Sequence, residues 1–324
     1  MAKISKTAIQ NYPRIQDEKD PYHGFFDDSK VTPHSKKLSN KKLKEIITKA
    51  VRSANLKSSR AILNIGDDIS EQEINKIYIK EGKALFRYFI KYCGDPASSA
   101  FDSINQHYSK IAKEQFRNRT IQKERMNSGW RYQFIAKDAA KLSKRFDSIS
   151  DIGASEADFN ATILELGSRK VISIYVSVKN RTNTMGGQDW PKAIRAMETM
   201  AQGDKNRTGP YLCIFGIAMD KGKRKIRNEG KTGTPYSFNT EVWLSDYFWP
   251  FFSNCSYEDI IKAVLQVLME DGGVSSLDIN IPEELLTSFG KECENYGLLD
   301  EKGNFNDPEK LVDLFCGKLS KHKK

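Results

Sequence analysis

The sequence predicts an α/β core carrying helical additions at both ends. Three features predict it: apolar residues at spacings of three and four over about 43–145, a switch to strict alternation over 158–179, and a return to helical spacing after 257. The first forty residues are polar, with YPR, DPYHG and TPHS punctuating them, and read as an arm or irregular wrap. Helical segments follow at LKEIITKAV, EQEINKIYIKEGKALFRYFIKY, SAFDSINQHYSKIAKEQF and WRYQFIAKDAAKLSKRF, interrupted at CGDPASS and ended near Gly153. Residues 158–166 and 171–179 then alternate with period two around a Gly167-containing turn, which is a β-hairpin signal. A helix is expected over 189–203, with Asp189 as N-cap, Pro191 in the first turn and Gly203 as the stop. Strands are expected at 211–219 and near 241–244, and the last helical segments, from 257, read as a lid or an oligomerisation layer. The organisation predicted is an N-terminal arm and helical region (1–125), an α/β core (126–255) and an acidic helical region (256–324).

Composition narrows the function classes. A hydrophobic share of 39% is enough for a real core, and no apolar run approaches the roughly 20 residues that span a bilayer. The opening residues lack the apolar segment of a secretory signal, so a cytoplasmic protein with no membrane partner is expected. The cysteines form no CxxC pair and the histidines are scattered, which argues against a zinc site and against His- or Cys-based catalysis. The net charge of +10 is uneven: +13 over residues 1–150, +5 over 151–240 and −8 over 241–324. Such a basic front favours a polyanion, because each Lys or Arg meeting a phosphate releases counterions.

The hairpin carries the chemistry. Parity puts Phe159, Ala161, Ile163, Ile172, Ile174, Val176 and Val178 on one greasy face. The other face holds Asp158, Asn160 and Thr162 against Ser173, Tyr175, Ser177 and Lys179, and a tight turn would set Asp158 directly across from Lys179, with Glu156 on the same side. Phosphodiester hydrolysis needs an in-line water, neutralised phosphate charge and a stabilised leaving oxygen. Carboxylates holding Mg²⁺ supply the last two, and an ammonium orients the water. The same pair also fits a plain cross-strand salt bridge.

The stretch SEADFNATILELGSRKVISIYVSVKN resembles the motif region of the PD-(D/E)xK nuclease superfamily, and its Ser-Val-Lys ending is similar to that of type II restriction endonucleases. The resemblance covers about residues 126–250 and implies a restriction-endonuclease-like α/β/α core with a mixed sheet, Mg²⁺ as cofactor, double-stranded DNA as substrate and a homodimer. It maps the first acid to Asp158 and the lysine to Lys179, with the Val178 carbonyl as a further metal ligand. Ser177 stands where the second carboxylate belongs, so it is left to support the site by hydrogen bonding. Some restriction-enzyme branches with this substitution bring a glutamate from the following helix. Glu198 is the first candidate for that place, because it interrupts the apolar stripe of its helix and must be paired or ligated; Asp189 and Glu156 are the others.

DNA contacts are expected from Arg119, Lys123, Arg125, Trp130, Arg131, Tyr132 and Gln133, a basic stretch interleaved with aromatic and amide side chains. Asn180, Arg181 and Asn183 leave the motif strand, and Lys223, Arg224 and Lys225 form a second basic cluster on a loop that could clamp phosphates. The expected function is a site-specific endonuclease. A repair or junction nuclease without sequence preference and a non-catalytic DNA-binding regulator are the competing readings.

Overall fold

The computed structural model describes residues 11–35, 37–58, 70–152, 155–185, 189–229, 233–270 and 281–321, with backbone alone at 55–58, 124 and 229. The chain divides into two compact units, residues 1–54 with 128–272 and residues 55–127 with 273–324. These units cut across the three blocks expected from the sequence. The reason is long-range packing: the helical segments around residues 71–127 bury their apolar faces on the C-terminal helices, while the arm joins the sheet.

In the first unit, the helix α1 (Asn40–Ser58) and the C-terminal part of α4 (Tyr108–Ser143) precede the strands β1 (Ser148–Asp151), β2 (Phe159–Leu164) and β3 (Val171–Lys179). Then come α5 (Trp190–Gly203), β4 (Tyr211–Ile217), the two-residue strands β5 (Arg224–Lys225), β6 (Asn228–Glu229) and β7 (Thr234–Pro235), β8 (Thr240–Trp243), α6 (Ser245–Ser253) and α7 (Tyr257–Glu270). Six strands form one mixed sheet in the order β1-β2-β3-β4-β8-β5. The first three are antiparallel neighbours, β3, β4 and β8 are parallel, and β5 returns antiparallel at the edge.

Helices cover both faces of this sheet. On one, Phe159, Ile163, Ile174 and Val176 pack with Ile47 of α1, Ile135 and Ala139 of α4, Trp249 and Phe252 of α6 and Val264 of α7. On the other, Ile194, Met197 and Ala201 of α5 pack against Tyr175, Cys213 and Phe215. The greasy face deduced from parity is therefore the larger core, and the face read as polar is also covered, because α5 crosses over it from β3 to β4. The arm is fastened at the sheet edge. Phe26 donates its N–H to Glu241 at 2.6 Å, and Trp243 Nε1 donates to the other oxygen of the same carboxylate at 2.6 Å.

The second unit gathers α2 (Glu71–Lys91), α3 (Pro96–Ser103), the N-terminal part of α4, α8 (Glu283–Asn295) and α9 (Pro308–Phe315). Its core joins Leu85, Phe86 and Phe89 of α2 to Phe116, Leu285, Phe289, Leu311 and Leu314. A side chain at Gly82 would run into the Leu285 carbonyl oxygen and the Ser288 side chain, so this glycine sets the close crossing of α2 and α8. The C-terminal helices α8 and α9 are thus core elements of this unit and not a lid. Among the described residues, no helix is long and apolar enough to cross a membrane.

Candidate active site

The hairpin register differs from the expected one by two residues. Glu165 N–H donates to the Lys170 carbonyl at 2.8 Å across a turn with Gly167 and Arg169 at positive φ, and Phe159 consequently pairs with Val176. The first ladder pair is Phe159 with Val176, so Asp158 stands just outside the ladder, beside the end of β3 and not directly across from Lys179. Ser177 and Lys179 share one face of β3, whereas Asp158, whose N–H also turns toward β3, is placed by its own bonds and not by the parity of the ladder.

This shift gives Asp158 a specific task. β2 ends one residue after it, so the last N–H groups of β3 lose their ladder partner on that side. The backbone N–H of Asp158 donates to the Val176 carbonyl at 2.7 Å, and its Oδ2 accepts from the Val178 N–H at 2.6 Å. A charge-assisted bond of this length holds the carboxylate in one orientation. Because strand backbone groups alternate in direction, the Val178 carbonyl points to the same side as its N–H, beside Asp158. Ser177 is 2% exposed and Lys179 is half-buried.

The chain leaving the site is braced. The Lys179 carbonyl accepts from Ala218 N–H at 2.8 Å, and Asn180 Nδ2 donates to Ser128 Oγ of α4 at 2.9 Å. Thr182 donates twice to Asp220 Oδ2, at 2.7 Å from N–H and 2.7 Å from Oγ1, and Arg181 Nη1 stands 3.1 Å from Oδ1. Burial works against the Asp220 charge, but the Thr182 and Arg181 bonds outweigh it and hold the carboxyl below its usual range. Asn180 and Arg181, expected at DNA, thus make internal contacts, whereas Asn183 is exposed.

Glu198 lies elsewhere. It is 2% exposed on the inner face of α5, as its position in the apolar stripe predicts, and its Oε1 accepts from Ser237 Oγ and from Thr240 Oγ1, the latter at 2.6 Å. Thr240 pairs with Cys213 and Cys213 with Tyr175, four residues before Lys179, or about 13 Å along the strand. The two hydroxyls satisfy Oε1 alone, Oε2 is buried without a hydrogen-bond partner, and burial pushes the pKa of this acid up against the opposing pull of those two bonds. Asp189 is exposed at the start of α5, and its side chain makes no capping bond. Glu156 is half-buried in the irregular stretch ahead of β2.

Among the described residues, no group of three or more His, Cys, Asp or Glu side chains could hold a metal ion. The hard oxygens at the end of β3 are the Asp158 carboxylate, held by the Val178 N–H, and the carbonyl of Val178 itself. Mg²⁺ fits that set, because it binds through one or two carboxylates, keeps several waters and takes substrate phosphate oxygens for the rest.

The basic stretch of α4 divides between the units. Arg119, Lys123 and Arg125 belong to the helical unit, where Arg119 pairs with Glu81 at 3.1 Å, and residues 130–133 belong to the sheet unit. Trp130, Arg131 and Gln133 are half-buried. Two residues expected at DNA are buried instead. Tyr132 is 5% exposed and packs edge-on against Trp249, because its turn of α4 faces the sheet. The Arg224 side chain, 5% exposed, lies over Tyr247, donates to the Phe26 carbonyl at 2.6 Å and approaches Glu241 at 3.8 Å. Its segment is the edge strand β5 and not a free loop, while Lys223 and Lys225 on either side remain exposed.

Neither a protein-family model nor a curated protein matches the chain.

Proposed function

We propose that the chain is a Mg²⁺-dependent endodeoxyribonuclease that hydrolyses double-stranded DNA at specific sites, in the manner of the type II restriction endonucleases its motif resembles. The observation that carries this reading is the Asp158 carboxylate locked to the Val178 N–H at the end of β3, the strand that carries Ser177 and Lys179. A six-strand mixed sheet with helices on both faces supports it, because the resemblance implies that architecture. So does the basic charge of the first 240 residues.

In this mechanism Asp158 and the Val178 carbonyl would hold the ion. When bound, Mg²⁺ neutralises charge on the scissile phosphate and stabilises the departing oxygen. Lys179 orients the attacking water and assists its deprotonation, and Ser177 steadies the site by hydrogen bonding. Two copies of the chain would make a symmetric two-strand cut, which is the basis for a homodimer. Restriction of incoming DNA would place the activity in the cytoplasm of a prokaryotic host.

The test is incubation of a phage-sized duplex DNA with purified protein, in Mg²⁺ or in EDTA, followed by electrophoresis. Discrete fragments only with Mg²⁺ support site-specific cleavage. A smear points to a nuclease without sequence preference, and intact DNA in both lanes with salt-sensitive binding points to a non-catalytic regulator.

A further inference from the structure

The helical unit carries a second feature that the sheet site does not use. The buried face of α2 is set by Leu85, Phe86 and Phe89; Tyr88 is half-buried at the edge of that core, and Arg87, Lys91 and Tyr92 are exposed beside it. Together with Arg119 and Lys123 they line a groove of about 300 Å³. Four cations line this groove, and no carboxylate does among the described residues. Its floor is aromatic. The rings of Tyr88 and Tyr92 lie 4.7 Å apart at 35°, Tyr88 Oη is fixed by Gln122 at 3.0 Å, and Tyr92 is 50% exposed. Lys91 Nζ sits 5.3 Å over the Tyr92 ring. Burial, and after it the neighbouring Arg119, push the Lys123 pKa down to about 8 against the pull of Glu81, which pairs with Arg119 at 3.1 Å.

Phosphates account for the cations but not for the exposed ring. A duplex presents phosphates, sugars and base edges to a protein surface, whereas a flat aromatic face backed by a second ring matches the π-face of an unpaired base. A nucleotide of single-stranded nucleic acid carries both parts in adjacent positions. We infer that the α2–α4 groove binds an unpaired strand, with a base stacked on Tyr92 and the adjoining phosphates held by Arg87, Lys91 and Lys123. This goes beyond the cleavage reading, since it concerns the helical unit and does not require the Asp158–Lys179 site to cut.

The experiment is fluorescence anisotropy of a labelled twelve-nucleotide oligo(dT) and of a labelled duplex of the same length, with the full chain in EDTA, so that cleavage plays no part. Single-strand binding should weaken about 5- to 100-fold in Tyr92→Ala, the range expected for one lost base stack, while Tyr92→Phe keeps wild-type affinity and duplex binding is unchanged. Arg87→Ala with Lys91→Ala should weaken oligo(dT) binding and flatten its salt dependence. Failure of the wild type to bind oligo(dT) overturns the inference. So does an unaltered affinity in Tyr92→Ala, or an equal loss on both DNAs, either of which leaves only a basic patch. Loss of cleavage in an Asp158 variant bears on the sheet site alone.

Discussion

The position of Glu198 gives the sharpest test of where chemistry ends and scaffold begins. In Glu198→Gln the amide oxygen still accepts from Ser237 and Thr240 and the charge is removed, while the amide nitrogen takes the place of the buried, unpartnered Oε2. In Glu198→Ala both buried hydroxyls lose their acceptor. An unsatisfied buried donor costs about 1–3 kcal/mol, so the alanine variant should lose about 2–4 kcal/mol, or roughly 5–10 °C in melting temperature. The pH dependence has a definite sign. Burial raises the folded pKa of Glu198 above its unfolded value, so folding holds the proton while the unfolded chain releases it. Glu198 therefore reduces stability as pH rises from the ordinary carboxylate range through the raised folded pKa, and the penalty stays at higher pH. Thermal melts of wild type and Glu198→Gln across that interval should diverge, with the wild type declining more steeply. Cleavage by Glu198→Gln should match wild type. Abolished cleavage with an unchanged melt would refute the reasoning and make this carboxylate a metal ligand.

Other expectations follow from packing. Gly82→Ala places a methyl group against the Leu285 carbonyl oxygen and the Ser288 side chain, so despite its better helix propensity it should destabilise the helical unit by about 1–3 kcal/mol in urea titration. Arg224→Ala strips the buried Glu241 of its cation and should cost about 3–5 kcal/mol, without altering the salt dependence of DNA binding as loss of a phosphate contact would.

Much of this was legible in the sequence, and the failures have physical causes. Parity separated the faces of β2 and β3, and Glu198 stood out as an acid in an apolar stripe. Its hydroxyl partners, about forty residues away in sequence, did not. The two-residue register shift arose in a turn whose non-glycine residue Arg169 adopts a left-handed conformation, which nothing in its side chain signals. β1 escaped notice because an edge strand of Ser148–Asp151 is mostly exposed and shows no alternation. α6 escaped because SDYFWPFFS is buried nearly all round and contains Pro250, which erases the helical period and reads as a break. Arg224 looked like one charge in a basic cluster, and only the return of Phe26 and Glu241 to the same sheet edge makes it a core residue.

The most direct test of the central claim is Mg²⁺-dependent cleavage of duplex DNA by wild type, Asp158→Asn and Lys179→Ala, each first shown to melt and to bind DNA like wild type. In Asp158→Asn the amide oxygen can still accept from the Val178 N–H, so the strand end should stay intact while the charge that holds the ion is lost. The account predicts cutting by wild type alone, with neither variant nicking the substrate. Wild-type nicking by either variant would contradict it and leave Asp158 only as the acceptor that caps the end of β3.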